Sequence, residues 1–394
     1  MISPAHTLPL VSHAVNELPL FPSFWLAGFE CSCHRRRDGR RLDLLEATGH
    51  DRFAIRDYAR LPPLGITTAR DGLRWHRIDR GTGSYDFSEL LPRLAAARIS
   101  GVQVIWDLCH WGWPEDLDIW SPEFVQRFAR FAGAAAQVVA AETDGTPWFV
   151  PVNEISFWAW AGAQEGYLNP FAVKRGAKLK AQLVRAVLAA IDAIQSVVPE
   201  ARFLYTDPLI NVTSDSPRRR HQETAKRWHE SQYESAEMLV GRIRPELGGD
   251  ESYLGVVGLN YYISNQWRHD GRKIRRGDPL YRPLSDLLAE AYGRYNRPLL
   301  IAETGEEGEA RVGWLRYVAR EVRAALRLGV PILGVCIYPI LDYPGWDDDR
   351  YCPAGLWSYP DEQGEREIYT PLAAEIRRQG KLIDRALAPR AAKK

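Results

Sequence analysis

Two glutamates stand directly after apolar runs, where they could act together on one bond. The run FVPV at 149–152 leads to Asn153 and Glu154, and the run LLIA at 299–302 leads to Glu303. An apolar run that stops at a carboxylate is typical of a buried strand with a functional side chain at its C-terminal end. Because the two runs lie far apart in the chain, only the fold can bring the carboxylates together. Paired carboxyl groups are what glycoside cleavage requires.

The elements that would position these glutamates alternate between strand and helix. Eight short apolar runs are predicted as strands, at 24–30, 65–75, 102–108, 148–152, 202–205, 254–259, 299–302 and 332–338. Helices are predicted at 52–61, 87–98, 122–141, 173–198, 223–240, 283–292, 314–328 and 370–386, with Ser121 as the N-cap of the third. Continuous apolar runs are typical of parallel strands covered on both faces. The pattern predicts the α/β class and a (β/α)8 TIM barrel of one domain. A doubly wound open sheet is the alternative, but no strand is followed by a glycine-rich phosphate turn.

Composition limits the partners. The predicted organisation is an N-terminal extension at 1–23, a catalytic barrel at 24–388 and a basic C-terminal tail at 389–394. With 51 basic and 50 acidic residues the net charge is +1, which predicts no nucleic-acid partner. No apolar run approaches the roughly 18 residues of a membrane span, so no membrane partner is expected. The 14 Trp and 17 Tyr suit a site that stacks sugar rings, although core packing would use the same residues.

The number and spacing of the cysteines suggest the cellular compartment of the protein. The five cysteines are odd in number and lack framework spacing, and the N-terminus does not resemble a signal peptide, so a cytoplasmic location is expected. The segment Cys31-Ser32-Cys33-His34 could ligate a metal, but no second cluster completes such a site. A solvated loop is the preferred interpretation. No metal or organic cofactor is expected, because two carboxylates and water suffice for glycoside cleavage.

Polar and aromatic side chains gather at the predicted strand ends, where a barrel assembles its active site. They are Glu30, Arg74, His110, Trp111, Asn153, Glu154, Asp207, Asn260, Tyr262, Glu303 and Tyr338, with Trp346 further on. Paired carboxylates, hydrogen-bonding groups and flat apolar faces fit a sugar. Simpler alternatives exist: Arg74 could only brace the barrel, and Glu30 or Asp207 could only cap a helix.

Six segments carry a family resemblance. They are LRWHRI at 73–78, HWGWP at 110–114, VNE at 152–154, GLNYY at 258–262, IAETG at 301–305 and GVCIYPILDYPGW at 334–346. In this order they resemble glycoside hydrolase family 1 and its clan of retaining barrel glycosidases. The resemblance covers most of the chain, from about Phe24 to Leu356.

The resemblance implies roles for the strand-end residues. Glu303 would be the nucleophile and Glu154 the acid/base, while Arg74 and the hydroxyl of Tyr262 would contact the nucleophile. Sugar contacts are implied for Asn153 at the 2-hydroxyl, for His110 and Trp111 around the 3-hydroxyl, and for Asn260 near the acid/base. Arg74 and Tyr262 would keep Glu303 ionised, whereas burial against Phe157, Trp158 or Trp160 would keep Glu154 protonated.

The chain departs from the family pattern at the positions that select the sugar. After the eighth strand the family has a Trp and then a Glu-Trp pair, whereas this chain has Tyr338, Gly345 and Trp346. The family's glutamine after the first strand is missing, which leaves Glu30 and His34 as substitutes. A different sugar, or a different pose of it, is therefore expected. The acidic run Asp347–Asp349, opposed only by Arg350, predicts no preference for 6-phosphorylated sugars.

Three functions remain open from the sequence. The first is a retaining β-glycosidase that hydrolyses or transfers a terminal sugar of a carbohydrate or glycoside substrate. The second is an endo-acting β-glycanase of the same clan, and the third is a non-catalytic barrel that binds sugar. The third is disfavoured because Glu154, Glu303 and Arg74 are all present.

Overall fold

Eight parallel strands close into a barrel in a computed structural model that describes residues 20–81 and 83–388. The strands are β1 (Trp25–Gly28), β2 (Thr68–Gly72), β3 (Gln103–Asp107), β4 (Trp148–Val150), β5 (Arg202–Pro208), β6 (Val256–Asn260), β7 (Leu299–Thr304) and β8 (Ile332–Ile337). Each pairs with its neighbours in chain order, and β1 closes the ring against β8. The predicted (β/α)8 TIM barrel is confirmed. The tail at 389–394 and residues 1–19 of the predicted extension lie outside the described residues.

Helices surround the barrel. They are α1 (Leu44–Ala47), α2 (His50–Ala59), α3 (Trp75–Ile78), α4 (Leu91–Ile99), α5 (Pro122–Glu142), α6 (Ile155–Trp158), α7 (Gly176–Val197), α8 (Arg219–Glu230), α9 (Glu234–Leu239), α10 (Leu284–Tyr295), α11 (Ala310–Arg327) and α12 (Thr370–Leu387). Helix α5 begins as predicted, because the Ser121 side chain accepts a hydrogen bond from the Phe124 amide at 3.3 Å and Pro122 occupies the first turn.

The single helix predicted at 223–240 is wrong, since α8 and α9 are separate. The break contains Gln232, whose side chain bonds the amide and the carbonyl of Ile210, at 2.8 and 3.1 Å. These bonds tie the turn to the loop after β5. A contact with a segment so far away in sequence overrides the local helical pattern.

Apolar side chains fill the lower barrel, and polar ones fill its upper part. Leu26, Ile105, Trp148, Leu204 and Leu300 belong to one buried cluster inside the ring. In the same cluster Phe21, inside the predicted extension, packs on Trp148 with ring centroids 4.8 Å apart. Nearer the C-terminal ends of the strands, the buried residues become charged and hydrogen-bonded. The fold thus supports a polar site on an apolar floor.

Two small sheets lie at the C-terminal end of the barrel. Asn211–Thr213, which follows β5, pairs in parallel with Gln266–Arg268, which follows β6. Tyr343–Pro344 pairs antiparallel with Tyr351–Cys352 after β8. Within the described ranges, none of the helices combines the length and apolar character needed to cross a membrane.

Candidate active site

Glu154 stands in a strained backbone conformation just beyond β4. Its φ of 49° and ψ of 60° place it in the left-handed region, which is uncommon for a residue with a side chain. The amide of Glu154 donates to the Thr206 carbonyl of β5 at 3.2 Å, and α6 begins at the next residue. The Asn260 amide donates to Glu154 Oε1 at 2.9 Å. Strand β4 and its neighbours therefore fix both the backbone and the carboxyl group.

The pKa of Glu154 is raised well above its ordinary value. Burial of the carboxyl group is the largest cause, and the negative charge of Glu303 adds to it, while the hydrogen bond from Asn260 opposes it. The two glutamates that were identified from the sequence therefore lie close enough to influence one another. This environment favours the protonated form of Glu154, which is the form a general acid needs.

Glu303 occupies the end of β7 and receives two hydrogen bonds. Arg70 Nη1 donates to Oε1 at 2.8 Å, and the Tyr262 hydroxyl donates to Oε2 at 2.9 Å. Only 5 % of the residue is exposed. Donors at both oxygens fix the orientation of the Glu303 carboxyl group. The predicted contact between Tyr262 and Glu303 is confirmed.

The prediction that Arg74 pairs with Glu303 is wrong. Strand β2 ends at Gly72, so Arg74 lies beyond the strand and its guanidinium turns to a ring of carboxylates. These belong to Asp43, Asp51 and Glu89, at 3.3, 3.1 and 2.7 Å. Arg70 lies within the strand, its guanidinium contacts Glu303 inside the barrel, and it therefore takes the position expected for Arg74. Arg74 instead braces the first loop to the start of α4.

Arg70 links three side chains inside the barrel. Its guanidinium contacts both oxygens of Asp107, at 2.8 and 2.6 Å, together with Asn153 Oδ1 at 2.7 Å and Glu303. The sequence did contain a signal for this residue: an arginine in the middle of a buried strand needs a carboxylate partner inside the barrel. Asp107, at the end of β3, supplies that partner.

Asn153 and His110 form one hydrogen-bonded pair. Asn153 Oδ1 accepts from Arg70 and from the Thr206 hydroxyl at 2.9 Å, which leaves its amide nitrogen to donate to His110 Nε2 at 2.8 Å. His110 Nε2 is then an acceptor, and the ring proton lies on Nδ1, 3.3 Å from Asp107 Oδ2. The structure brings both predicted sugar-contact residues to the site. Their contacts with a sugar remain predictions.

Aromatic side chains form a wall beside this pair. Trp111 is fully buried and donates from Nε1 to the Asn153 carbonyl at 3.0 Å. Trp346 packs edge-on against Trp111, with centroids 5.1 Å apart, and 6.2 Å from Phe157. His34, offered from the sequence as a substitute sugar contact, lies 5.3 Å from Trp346 and its Nδ1 is buried without a hydrogen-bond partner among the described residues.

Glu30 is a third buried carboxyl group at this site. Ser32 donates its amide to Oε1 at 3.0 Å, and the Tyr338 hydroxyl lies 3.4 Å from the same oxygen. Burial is the largest cause of the raised pKa of Glu30, the charge of Glu303 adds to it, and the hydrogen bond from the Ser32 amide opposes it. Gly28 makes room for this arrangement, because a Cβ there would lie 2.0 Å from the Tyr338 ring.

Asp207 does not face the site. Its carboxylate accepts the Ser156 amide at 3.0 Å and the hydroxyls of Ser235 and Tyr205, both at 2.7 Å. It therefore caps α6, which settles the alternative left open by the sequence.

The two cysteines of the Cys31-Ser32-Cys33-His34 segment belong to different clusters. Cys31 lies with Asp107 and His110, and Cys33 with Asp43 and His76, with potential ligand atoms within 4.8 Å of one another in each group. In both clusters a guanidinium already pairs with the carboxylate: Arg70 with Asp107 at 2.6 Å, and Arg74 with Asp43 at 3.3 Å. A divalent cation would have to share each carboxylate with that arginine.

The loop after β8 is tied to the loop after β1. Gly345 accepts a hydrogen bond from Arg36 at its carbonyl, 2.6 Å away, and a Cβ at this glycine would meet Asp348. Asp349 pairs with Arg36 at 2.8 Å and also with Arg40. The expectation that Arg350 alone opposes Asp347–Asp349 is therefore wrong.

Solved structures similar to this chain are family 1 β-glucosidases and related enzymes. A family 1 β-glucosidase from Thermotoga maritima is 16% identical over 94% of this chain and 99% of its own, with a TM-score of 0.73. A Thermotoga maritima β-glucosidase in complex with glucoimidazole is 15% identical over 93% of this chain and 98% of its own, with a TM-score of 0.74. The AHE enzyme from Alicyclobacillus herbarius is 17% identical over 86% and 88%, with a TM-score of 0.72. No family model matches the chain, and no curated protein does. At this identity the likeness establishes the fold.

Proposed function

We propose that the chain is a retaining β-glycosidase that releases a terminal β-linked sugar through a covalent glycosyl-enzyme intermediate. The observation that supports this most is the contrast between two neighbouring buried carboxyl groups. Glu303 receives donors at both oxygens, whereas burial and the charge of Glu303 raise the pKa of Glu154. Two carboxyl groups held in different protonation states are what a nucleophile and a general acid require.

In the first step Glu303 attacks the anomeric carbon and Glu154 protonates the departing oxygen. Arg70 and Tyr262 hold the attacking carboxylate through their hydrogen bonds at 2.8 and 2.9 Å. The bond from the anomeric carbon to the leaving oxygen breaks as the ester to Glu303 forms. The proton of Glu154 leaves with the aglycone, so that Glu154 becomes ionised.

In the second step Glu154 acts as a base. Since the charge of Glu303 is one cause of the raised pKa of Glu154, esterification of Glu303 removes that contribution and lowers the pKa. Glu154 then takes a proton from water, which attacks the anomeric carbon and releases Glu303. A second sugar in place of water would give transfer rather than hydrolysis. Two displacements retain the β configuration.

The sugar would lie between the aromatic wall and the two glutamates. The proposed contacts are Asn153, His110, Trp111, Asn260, Tyr262, Tyr338, Trp346 and Glu30. Glu30 and Tyr338 lie together as one pair of polar side chains. Gly345 has no side chain, so it could contact a sugar only through its backbone. This set differs from the glutamine and glutamate of the family pattern, so a different preferred sugar is proposed.

An endo-acting β-glycanase is the second candidate, favoured by aromatic side chains near α6. Trp160 and Tyr167 are 46% and 49% exposed and pack with centroids 5.6 Å apart. Such a surface could stack further sugar rings of a chain. Kinetics on oligosaccharides of increasing length distinguish the two: an endo-acting enzyme gains rate with length, whereas an exo-acting one does not.

A panel of nitrophenyl β-glycosides tests the proposal directly. Release of nitrophenol from at least one of them is expected, and proton NMR during the first turnovers should show the β anomer of the sugar. Release of the α anomer would contradict the retaining mechanism. Binding of sugars without any turnover across the panel would favour the non-catalytic alternative.

A further inference from the structure

A strongly basic surface lies on the rim of the barrel, in the segments that follow β5 and β6. Residues 214–230 and 266–282, here called the basic rim, hold eleven Lys and Arg against five Asp and Glu. The whole chain has 51 basic and 50 acidic residues, so the excess of positive charge in these two segments is offset by acidic residues elsewhere in the chain. A local excess of one sign on a balanced protein is an electrostatic site for an ion of the opposite sign.

The two segments form one surface. The strand Asn211–Thr213 before the first segment pairs with Gln266–Arg268 of the second, and His221 stacks on His269 with ring centroids 4.3 Å apart. Both segments follow barrel strands, β5 and β6, so they stand on the C-terminal end where the active site lies.

Most of the cations on the basic rim are free of carboxylates. Within the described part of the chain, those without an ion-pair partner are Arg218, Arg220, Lys226, Arg227, Lys273, Arg275 and Arg276, and all of them are exposed. Arg219, Arg268, Arg272 and Arg282 are paired instead with neighbouring acids. Exposed unpaired cations attract an anion without first breaking a salt bridge.

The basic rim reaches the acid/base side of the site. Lys273 Nζ donates to the Ser264 carbonyl at 3.1 Å, two residues beyond Tyr262, and lies 5.4 Å over the Trp267 ring. Asn265 donates to the Asn260 carbonyl at 3.0 Å, which fixes the start of this segment to the end of β6. A leaving group that has received its proton from Glu154 would leave the site past the segment that carries Asn265 and Lys273.

The active site itself is acidic rather than basic. Glu30, Glu154 and Glu303 are buried there, and the cation Arg70 is already bound by Asp107 and Glu303. An acidic group on the bound sugar would therefore face carboxyl groups, whereas the same group further out would face free Lys and Arg side chains.

We propose that the basic rim binds an acidic saccharide as the leaving group, one that carries carboxylate or sulfate, while the terminal sugar is uncharged. This rests on the proposed function, since it assigns the substrate class of that same site. A saccharide is favoured over nucleic acid because the second segment of the basic rim follows Asn260 and Tyr262 closely in the chain, and these residues contact Glu154 and Glu303. An anion on the basic rim would then lie on the same side of the barrel as the reacting sugar.

Binding of leaving-group mimics by the whole protein tests the proposal. Trigalacturonate and a sulfated trisaccharide should each bind more tightly than a neutral trisaccharide at low salt, and added salt should weaken that binding. The variant Lys226→Glu/Lys273→Glu/Arg275→Glu should weaken trigalacturonate binding roughly tenfold and flatten its salt dependence. Its kcat/KM on a neutral nitrophenyl glycoside should remain unchanged, and the corresponding Gln substitutions should give an intermediate loss.

A matched control reverses three exposed cations on α12, in Arg377→Glu/Lys381→Glu/Arg385→Glu. It should bind trigalacturonate as the unmodified protein does. Equal losses in both variants, equal binding of acidic and neutral trisaccharides, or tighter binding of a single-stranded oligonucleotide of the same charge would each overturn the proposal. Absence of turnover on every glycoside would instead overturn the proposed function, because charge-selective saccharide binding needs no catalysis.

Discussion

Arg70 donates a hydrogen bond to Glu303 across the inside of the barrel, at 2.8 Å, while it holds Asp107 with its other nitrogens. The guanidinium therefore joins the proposed nucleophile to β3 and to Asn153. A fixed fork of donors suits this position better than the single ammonium of a lysine. The orientation of the Glu303 carboxyl group therefore depends on Arg70 as well as on Tyr262.

Arg70→Lys should lower kcat about 100-fold, because lysine retains the charge but cannot contact Asp107, Asn153 and Glu303 together. Arg74→Lys serves as its control, since Arg74 pairs with Asp43, Asp51 and Glu89 and not with Glu303. The control should keep kcat within roughly twofold and lose only stability, of about 1 kcal/mol. Steady-state kinetics and thermal unfolding of both variants check this. A larger loss of kcat in Arg74→Lys would contradict the assignment.

Removal of either proposed catalytic carboxyl should lower activity on a nitrophenyl glycoside roughly 1,000-fold or more. Azide should partly restore both Glu303→Ala and Glu154→Ala, because it fits the space left by a carboxylate. In the first variant azide replaces the nucleophile, and in the second it attacks the covalent intermediate. The two glycosyl azides should therefore have opposite anomeric configurations, which NMR distinguishes. Identical products from the two variants would show that the roles are not divided in this way.

The basic limb of the pH profile should report Glu154. Because the acid must be protonated, kcat/KM should fall as the pH rises through the raised pKa of Glu154. Asn260 donates to its carboxylate and lowers that pKa, so Asn260→Ala should move the basic limb to higher pH. A shift to lower pH, measured over the same buffers, would mean that another group sets the limb.

His50 should make stability depend on pH, away from the active site. It is fully buried between Asp57 at 2.9 Å and Asp71 at 3.3 Å; burial lowers the pKa of His50 and the two carboxylates raise it, with a net rise. A histidine whose folded pKa is raised contributes stability below its unfolded pKa, about 6.5, and loses it as pH rises through the folded value.

The unmodified chain and His50→Gln should therefore differ more in their free energy of unfolding at about pH 6 than at about pH 9. These two pH values lie roughly on either side of the range in which a histidine of raised pKa titrates. Urea unfolding at the two pH values measures it. The half-buried His221→Gln change offers a control: burial and neighbouring cations lower the pKa of His221, so its difference should not shrink as the pH rises. A difference that grows with pH would show that His50 is neutral in the folded protein.

The glutamates and the barrel could be predicted from sequence because each depends on a local pattern. An apolar run that ends at Glu154 or Glu303 can be recognised in the sequence without knowing what the run packs against. The Arg70 contact could be predicted only in part. An arginine within a buried strand indicates a carboxylate partner, but β2 is buried on both faces and its sequence does not show which carboxylate that is. Extending the strand to Trp75 then placed Arg74 at its end. The break between α8 and α9 depends on Gln232 contacting Ile210, which no local pattern reports.

The central claim is that Glu303 forms a covalent bond to the sugar, and a trapped intermediate tests it most directly. The chain is incubated with a 2-deoxy-2-fluoro glycoside of the sugar preferred in the nitrophenyl panel, digested, and analysed by mass spectrometry. We expect one added fluorosugar on the peptide that contains Glu303, and none in Glu303→Gln. A label on the peptide of Glu154 or Glu30, or inactivation without any covalent label, would contradict the account.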